Sequence, residues 1–363
     1  SVTADGGGEQ NNARFIKSEG SNLLKAKLYL TDNFKIQNFV VNNTDGVGIY
    51  GSQTLFYMSG GTIGSKNITF RWDDGNETLY GINTEEYLSK REQKNEYPYI
   101  KEINTINGNI GKHVTGGDVP MGGGIYLEGS EFYMSDGSIV GNSLIGTSTN
   151  PVNGAGSHGG AGYFLQCNIY ITGGKISGNQ TNIAKGATST YNQYSGAIQL
   201  AYTSGKYICE MSNVEIAYNY TQRWVGAIDI YSGNTLYLKE NAIIKYNQAA
   251  NNSGAIAVDG TGAYMVMENG SKVTHNYSGN LGGGIRCLGQ LTMNGGDISY
   301  NYSVNDAAGL SIQTDDSRTG KAVLNGGSIK NNKSEKSGGG IGIVVARKNG
   351  TSGLTLNGTD IHS

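Results

Sequence analysis

The chain has 363 residues, a formal net charge of −2 and 37% hydrophobic residues. That near-neutral balance excludes a nucleic-acid or anionic-membrane surface built on bulk charge. With 58 glycines, 24 tyrosines and 3 prolines, but no three-residue period, the composition also excludes collagen and simple disorder; the glycines must sit at set places in a regular structure.

Read from the N-terminus, the first clear unit is "GVGIYGSQTLFYMSGGTIGSKN" (46–67). It consists of a Gly-rich turn, an apolar–x–apolar run, a turn, a second such run, another Gly turn and a third short run. The longest departure from the pattern follows, over about 68–121. Within it "TEEYLSKREQKN" (84–95) predicts a short helix, with Thr84 as N-cap, Glu85 and Glu86 in the first turn and basic residues later. The unit then returns as "GGGIYLEGSEFYMSDGSIVGN" (122–142) and "GAGYFLQCNIYITGGKISGN" (160–179), each followed by a loop, 143–159 and 180–195. Looser copies start at Gly196, Gly226 and Gly254, a close one spans 282–301, and others start at Gly309 and Gly338. The last, "LTLNGTDIHS", breaks off at Ser363. Residues 1–363 therefore read as one repetitive domain, expected to be a segment of a longer chain. The insertions are expected either to wall one side of a groove or to shield the outer surface.

Each copy contains three short strands in about 25 to 40 residues. Alternation within each run points one side inward and one outward. Ile198, Ile228, Ile256, Ile285, Leu310 and Ile341 should form one inward file, and Leu200, Ile230, Val258, Cys287, Ile312 and Ile343 the next. One copy has too little apolar surface to bury alone. Stacked ~4.8 Å apart, the copies bury a continuous narrow core. The expected fold is all-β, a single-stranded parallel β-helix of about nine coils, right-handed because parallel crossovers overwhelmingly are.

Asn142, Asn179, Asn219, Asn247, Asn276, Asn301 and Asn332 follow the third strand at nearly the same offset. An amide donates and accepts at once, so stacked amides can form a ladder that satisfies the turn. The pattern resembles the asparagine ladders of pectate-lyase-like right-handed β-helices. The Gly-Gly-x-Ile and Ile-x-x-Asn repeats are similar to those of large bacterial and archaeal surface proteins, including the polymorphic outer-membrane type. The resemblance covers about residues 28–363 and implies a fold and an extracellular or cell-surface location, not a chemistry.

Tyr218, Tyr246 and Tyr300 precede ladder asparagines, and Tyr220, Tyr277 and Tyr302 follow them. Stacked rows that stiffen the structure are expected, with a glycan-binding stripe as the alternative. Cys167, Cys209 and Cys287 lack metal-ligand spacing, and the last two take aliphatic positions of the repeat, so they read as small buried hydrophobes. The four histidines, His113, His158, His275 and His362, share no column and suggest no metal site. No apolar run is long enough to cross a membrane, and no signal peptide is recognised. Sequons such as "NYT" at 219 fall on ladder asparagines, which make poor glycan acceptors; those at 67 and 349 fall in loops.

Outward positions of the Gly-rich strand form two columns. The first reads Tyr126, Phe164, Gln199, Asp229, Ala257, Arg286, Ser311 and Gly342; the second reads Glu128, Gln166, Ala201, Tyr231, Asp259, Leu288, Gln313 and Val344. Gln199, Asp229, Tyr231, Asp259 and Arg286 should thus face one way, with Arg223 and Trp224 entering just before Asp229. Polar groups beside exposed aromatics suit a carbohydrate, with Glu128 and Gln166 extending the site. Asp229 and Asp259 lie one coil apart and two residues out of step, so their backbones should be about 8 Å apart, within reach of a glycosidase acid–base pair. A lyase would add Arg286 or a calcium ion as the acidifying charge; no other cofactor is expected.

Two functional readings follow. The first is a rigid extracellular stalk or adhesin, gripping carbohydrate or associating end to end through its open sheet ends. The second is a secreted polysaccharide lyase or glycoside hydrolase with Asp229 and Asp259 as the reacting pair. A groove walled on both sides near 199–286 would favour the enzyme, and an open shallow face there the stalk.

Overall fold

The structure, a computed structural model, describes residues 2–7, 15–21, 23–114, 119–146, 157–183, 194–345 and 352–362. Most of the loops at 143–159 and 180–195, and the sequon at Asn349, lie outside them.

Long parallel sheets dominate, in an arrangement consistent with a parallel β-helix. A representative turn contains four strands: Ile228–Tyr231, Asn234–Leu238, Ile243–Lys245 and Gln248–Ala249. The first joins a front sheet of ten strands, running from Ile16–Glu19 to Ile341–Val345. The second and third form two arms of a folded sheet of 19 strands, and the fourth joins a narrow sheet of nine. The sequence pattern yields three strands per turn because the fourth is often two residues long, too short to show an alternation.

Each strand pairs in parallel with its equivalent one turn on. Ile198, Ile228, Ile256, Ile285, Leu310 and Ile341 lie in one file, as the repeat predicts, and Leu200, Ile230, Val258, Cys287, Ile312 and Ile343 in the next. Nearly all are fully buried, each worth about 1.5–3 kcal/mol against solvent exposure; Ile343, on the last front strand, is 50% exposed. All three cysteines are free and buried, Cys287 within an aliphatic file.

One coil is shifted by a residue from the expected columns. Gly162 takes the inward place between Ile125 and Ile198, so Tyr163 pairs with Tyr126 and Gln199 on the outside, and Phe164 points inward. The Phe164 ring folds over the glycine, where a Cβ would lie 2.6 Å from its Cε2. Gly162 thus makes room for a large neighbour that fills the space its own missing side chain leaves. In consequence Leu165, not Gln166, pairs with Glu128. Gln166 sits beyond the strand in a left-handed turn, φ 55°.

The asparagines stack in a buried file. Each side-chain Nδ2 of Asn142, Asn179, Asn219, Asn247, Asn276 and Asn301 donates to Oδ1 of the next at 2.9–3.1 Å. The backbone N–H of each donates to the same Oδ1. Asn109 heads the file, donating to Asn142 at 3.0 Å. The repeat pattern misses it because the long insertion leaves the chain at this corner and Asn109 follows its return.

The residue before each amide from Asn142 to Asn332 is left-handed: Gly141, Gly178, Tyr218, Tyr246, His275, Tyr300 and Asn331 all have φ between 52° and 63°. For a bulky residue that conformation costs about 1–2 kcal/mol. Face-to-face packing offsets it, with ring centroids at 5.5 Å for Tyr218–Tyr246, 5.0 Å for Tyr246–His275 and 4.9 Å for His275–Tyr300.

The insertion forms a strap. Strands Ile68–Trp72, Glu77–Leu79 and Ile100–Thr105 pair antiparallel, and helix α1 spans Thr84–Glu92 with Asn83, not Thr84, at its N-cap. Thr84 instead donates to the Leu79 carbonyl at 3.0 Å, while Asn83 accepts from the Leu79 N–H.

Asn247→Ala should destabilise the fold by about 3 kcal/mol or more, since it strands the Asn219 amide donors and the Ile216 carbonyl in a dry interior. Asn325→Ala, which removes two exposed amide contacts, with Asn294 and Asn357, should cost about 1 kcal/mol or less. Denaturant midpoints of the two variants check the contrast.

Candidate functional site

The outward column of the front sheet changes character along its length. Tyr50, Tyr126 and Tyr163 stack at 5.2 and 5.4 Å; then Tyr163 gives way to Gln199, Asp229, Ala257, Arg286 and Ser311 on successive strands. Gln199 and Asp229 are direct cross-strand neighbours, and Asp259 pairs with Tyr231. The predicted grouping of these residues on one face therefore holds. Glu128 lies farther up the sheet beside Ser52 and Leu165, and Gln166 is in a turn, so neither joins the cluster.

The expected exposure does not hold. Asp229 is 0% exposed, Gln199 1% and Asp259 8%. A second layer covers the face. Tyr194 meets the edge of Tyr231 at 6.2 Å and stacks on His158 at 4.7 Å. A hairpin closed by the Thr314–Thr319 bridge brings Arg318 onto Asp259. The Arg318 Nε also donates to Asp315 at 2.7 Å. Arg286 reaches Asp259 at 3.9 Å and donates from Nε to the Gln313 carbonyl oxygen at 2.8 Å. The place facing Asp259 is thus taken by guanidinium groups. Among the described residues, no three His, Cys, Asp or Glu side chains are grouped to hold a metal. Arg223 and Trp224 pack together, the guanidinium 5.5 Å from the ring centroid, half-buried.

Burial governs the ionisation of this cluster. It pushes the Asp229 carboxyl up to about 7, against the opposing pull of Arg286, Gln199, Arg318 and the Ile230 N–H. Burial likewise pushes His158 down to about 4, the Gln199 amide acting the other way, and lowers Arg286. The amide is close enough to act on both groups, yet Gln199 Oε1 and both Asp229 oxygens are outside any hydrogen bond.

His158, Tyr194, Gln313, Asp315 and Arg318 are the members of this cluster outside the sequence-predicted site. His158 and Tyr194 were discoverable: each stands two residues before the Gly-rich turn, the offset also held by Trp224, and bridges Met121, His158 and Tyr194 in one file. Arg318 carries no repeat signal, because its hairpin is an insertion specific to one coil.

The strap lies over the narrow sheet instead. Gln248 and Gln180 donate to the carbonyls of Ile100 and Ile103 at 2.7 and 3.1 Å. Tyr99 stacks on Tyr277 at 4.9 Å and Tyr97 on Tyr302 at 5.1 Å. Glu85 accepts from Tyr218, and Glu92 meets His275 at 2.9 Å. The strap thus shields the tyrosine rows rather than walling the Asp229 face. The cleft left under its end, lined by Tyr97, Tyr246, His275 and Tyr300, is about 30 Å³, room for one water.

No described helix is long and apolar enough to cross a membrane. No family model matches the chain, and no curated protein or solved structure matches it either.

The pH dependence of stability follows from Asp229. Its folded value lies above the ordinary 3.8, so the folded chain keeps a proton that the unfolded chain has released. The contribution is complete below about pH 4 and is lost as pH rises through about 7, worth up to about 4 kcal/mol. Asp229→Asn should remove this slope; denaturant midpoints at pH 5 and pH 8 for both proteins check it.

Proposed function

We propose that the chain is a rigid module of an extracellular or cell-surface stalk, of adhesin type. Its fold in this reading is a right-handed parallel β-helix of about nine coils with an asparagine ladder. The observation that carries it is the unbroken pairing of the front sheet through ten strands. Ten strands at ~4.8 Å spacing span about 43 Å, and the stacked amides and rings resist bending along that length. The similarity of its repeats to those of surface proteins supports the location.

Carbohydrate remains the partner chemistry of this reading, and the groups on the front face partly open to it are Glu128, Arg223, Trp224 and Tyr231. End-to-end association through sheet edges belongs to the same reading. The enzyme reading requires Asp229 and Asp259 to touch a sugar, and Asp229 has no exposed surface.

Antibody to the folded chain should label intact source cells; labelling only after permeabilisation would overturn the surface location. Incubated with a panel of polysaccharides, the protein should release no product. Turnover lost in Asp229→Asn would replace the stalk with the hydrolase or lyase.

A further inference from the structure

Three acceptor atoms on neighbouring strands of the front face lack a well-formed hydrogen bond, although the Gln199 amide and the Ile230 N–H act on Asp229. Gln199 Oε1, Asp229 Oδ1 and Asp229 Oδ2 belong to adjacent residues of paired strands, are fully buried, and make no hydrogen bond. Buried acceptors in native proteins are almost always satisfied, so such a group calls for a ligand or a proton. The neighbouring donors are committed elsewhere: Arg286 Nε to Gln313, and Arg318 to Asp259 and Asp315.

The charge balance points the same way. Around Asp229 stand Tyr231, Asp259 and Arg286 from its own sheet, His158, Tyr194 and Arg223 from the corner before it, and Asp315 and Arg318 from the hairpin. Arg318 pairs with Asp259 and Asp315, and the buried Arg286 is shared among Asp229, Asp259 and Asp315. Arg223 is half-buried against Trp224, and His158 is held neutral by burial. An ionised Asp229 would therefore be a third carboxylate sharing two guanidinium groups in a dry layer, and only partly compensated.

We propose that Asp229 is a proton-binding latch: as the neutral acid it sits beneath the cover without a bare charge, and loss of its proton to solvent loosens the cover made by Tyr194, Tyr231 and the Thr314–Thr319 hairpin. The proton removes that charge and needs no extra space. Once it leaves, the carboxylate must either draw Arg318 away from Asp259 and Asp315 or admit water past Tyr194 and Tyr231. Both routes move the hairpin. The latch therefore opens toward alkaline pH and closes toward acid.

Arg318 is itself a tryptic cleavage point within the hairpin. In wild-type protein, cleavage after Arg318 should rise about tenfold between pH 6 and pH 8, following the ionised fraction, when scaled to the same cleavage in Asp229→Asn at each pH. Infrared difference spectra should show a buried carboxylic-acid C=O band at pH 5.5 that disappears above neutrality. Absence of that band at pH 5.5, or an equal pH response in both proteins, overturns the proposal. A band that titrates without any change in cleavage overturns the latch. If Asp229→Asn does not fold, the wild-type infrared titration is read against amide hydrogen exchange of residues 314–319. Exchange that does not quicken as the band is lost overturns the latch equally.

Discussion

Parallel pairing in register places every side chain on the equivalent side chain of the next turn, about 4.8 Å away. Everything else in this molecule has to be compatible with that stacking. Isoleucine on isoleucine closes a core without gaps. Asparagine on asparagine passes one donor to one acceptor down the corner file, from Asn109 to Asn332. Ring on ring, Tyr218 on Tyr246 and Tyr300 on His275, stacks well enough to offset left-handed backbone at these positions. Like charges are the one thing the geometry punishes. The outer columns accordingly set Lys175 against Glu215 at 3.5 Å, and flank Asp229 with Gln199 and Ala257 rather than another acid.

The insertions build a second layer on this frame. The strap buries a small core of its own, with Phe70, Trp72, Leu88 and Ile103 packed against Tyr218 and Tyr220. It thereby turns tyrosine rows that would otherwise be an aromatic surface into an interface within the chain. On the opposite course, one short hairpin carries Arg318 onto the front sheet and seals Asp259. Two excursions of very different length thus decide which faces of the rod meet solvent.

Sealing changes the chemistry of the acids. On an open wall, Asp229 would be an ordinary solvated carboxylate and Asp259 its near neighbour in a sugar-binding face. Under Tyr194, Tyr231 and the hairpin, Asp259 is held by two guanidinium groups, while the Asp229 oxygens are buried without a well-formed hydrogen bond. The same two residues, in the relative register expected of them, therefore lie beneath a cover instead of facing solvent.

By itself, the sequence determined whatever the repeat encodes: the stacked files from Ile198 to Ile341, the amides from Asn142 to Asn332, and the register that makes Gln199 and Asp229 neighbours. These are legible because each is repeated copy after copy at a fixed offset. Where one copy departs, the reading slipped, as when Gly162 turned Phe164 inward and displaced Gln166 from its column. Tertiary structure alone decided what is buried on the outside. Arg318 reaches Asp259 from 59 residues away, and Tyr97 and Tyr99 cross several turns to cover Tyr302 and Tyr277. Alternation along a strand says which way a side chain points; only the path of the inserted segments says what lies in front of it.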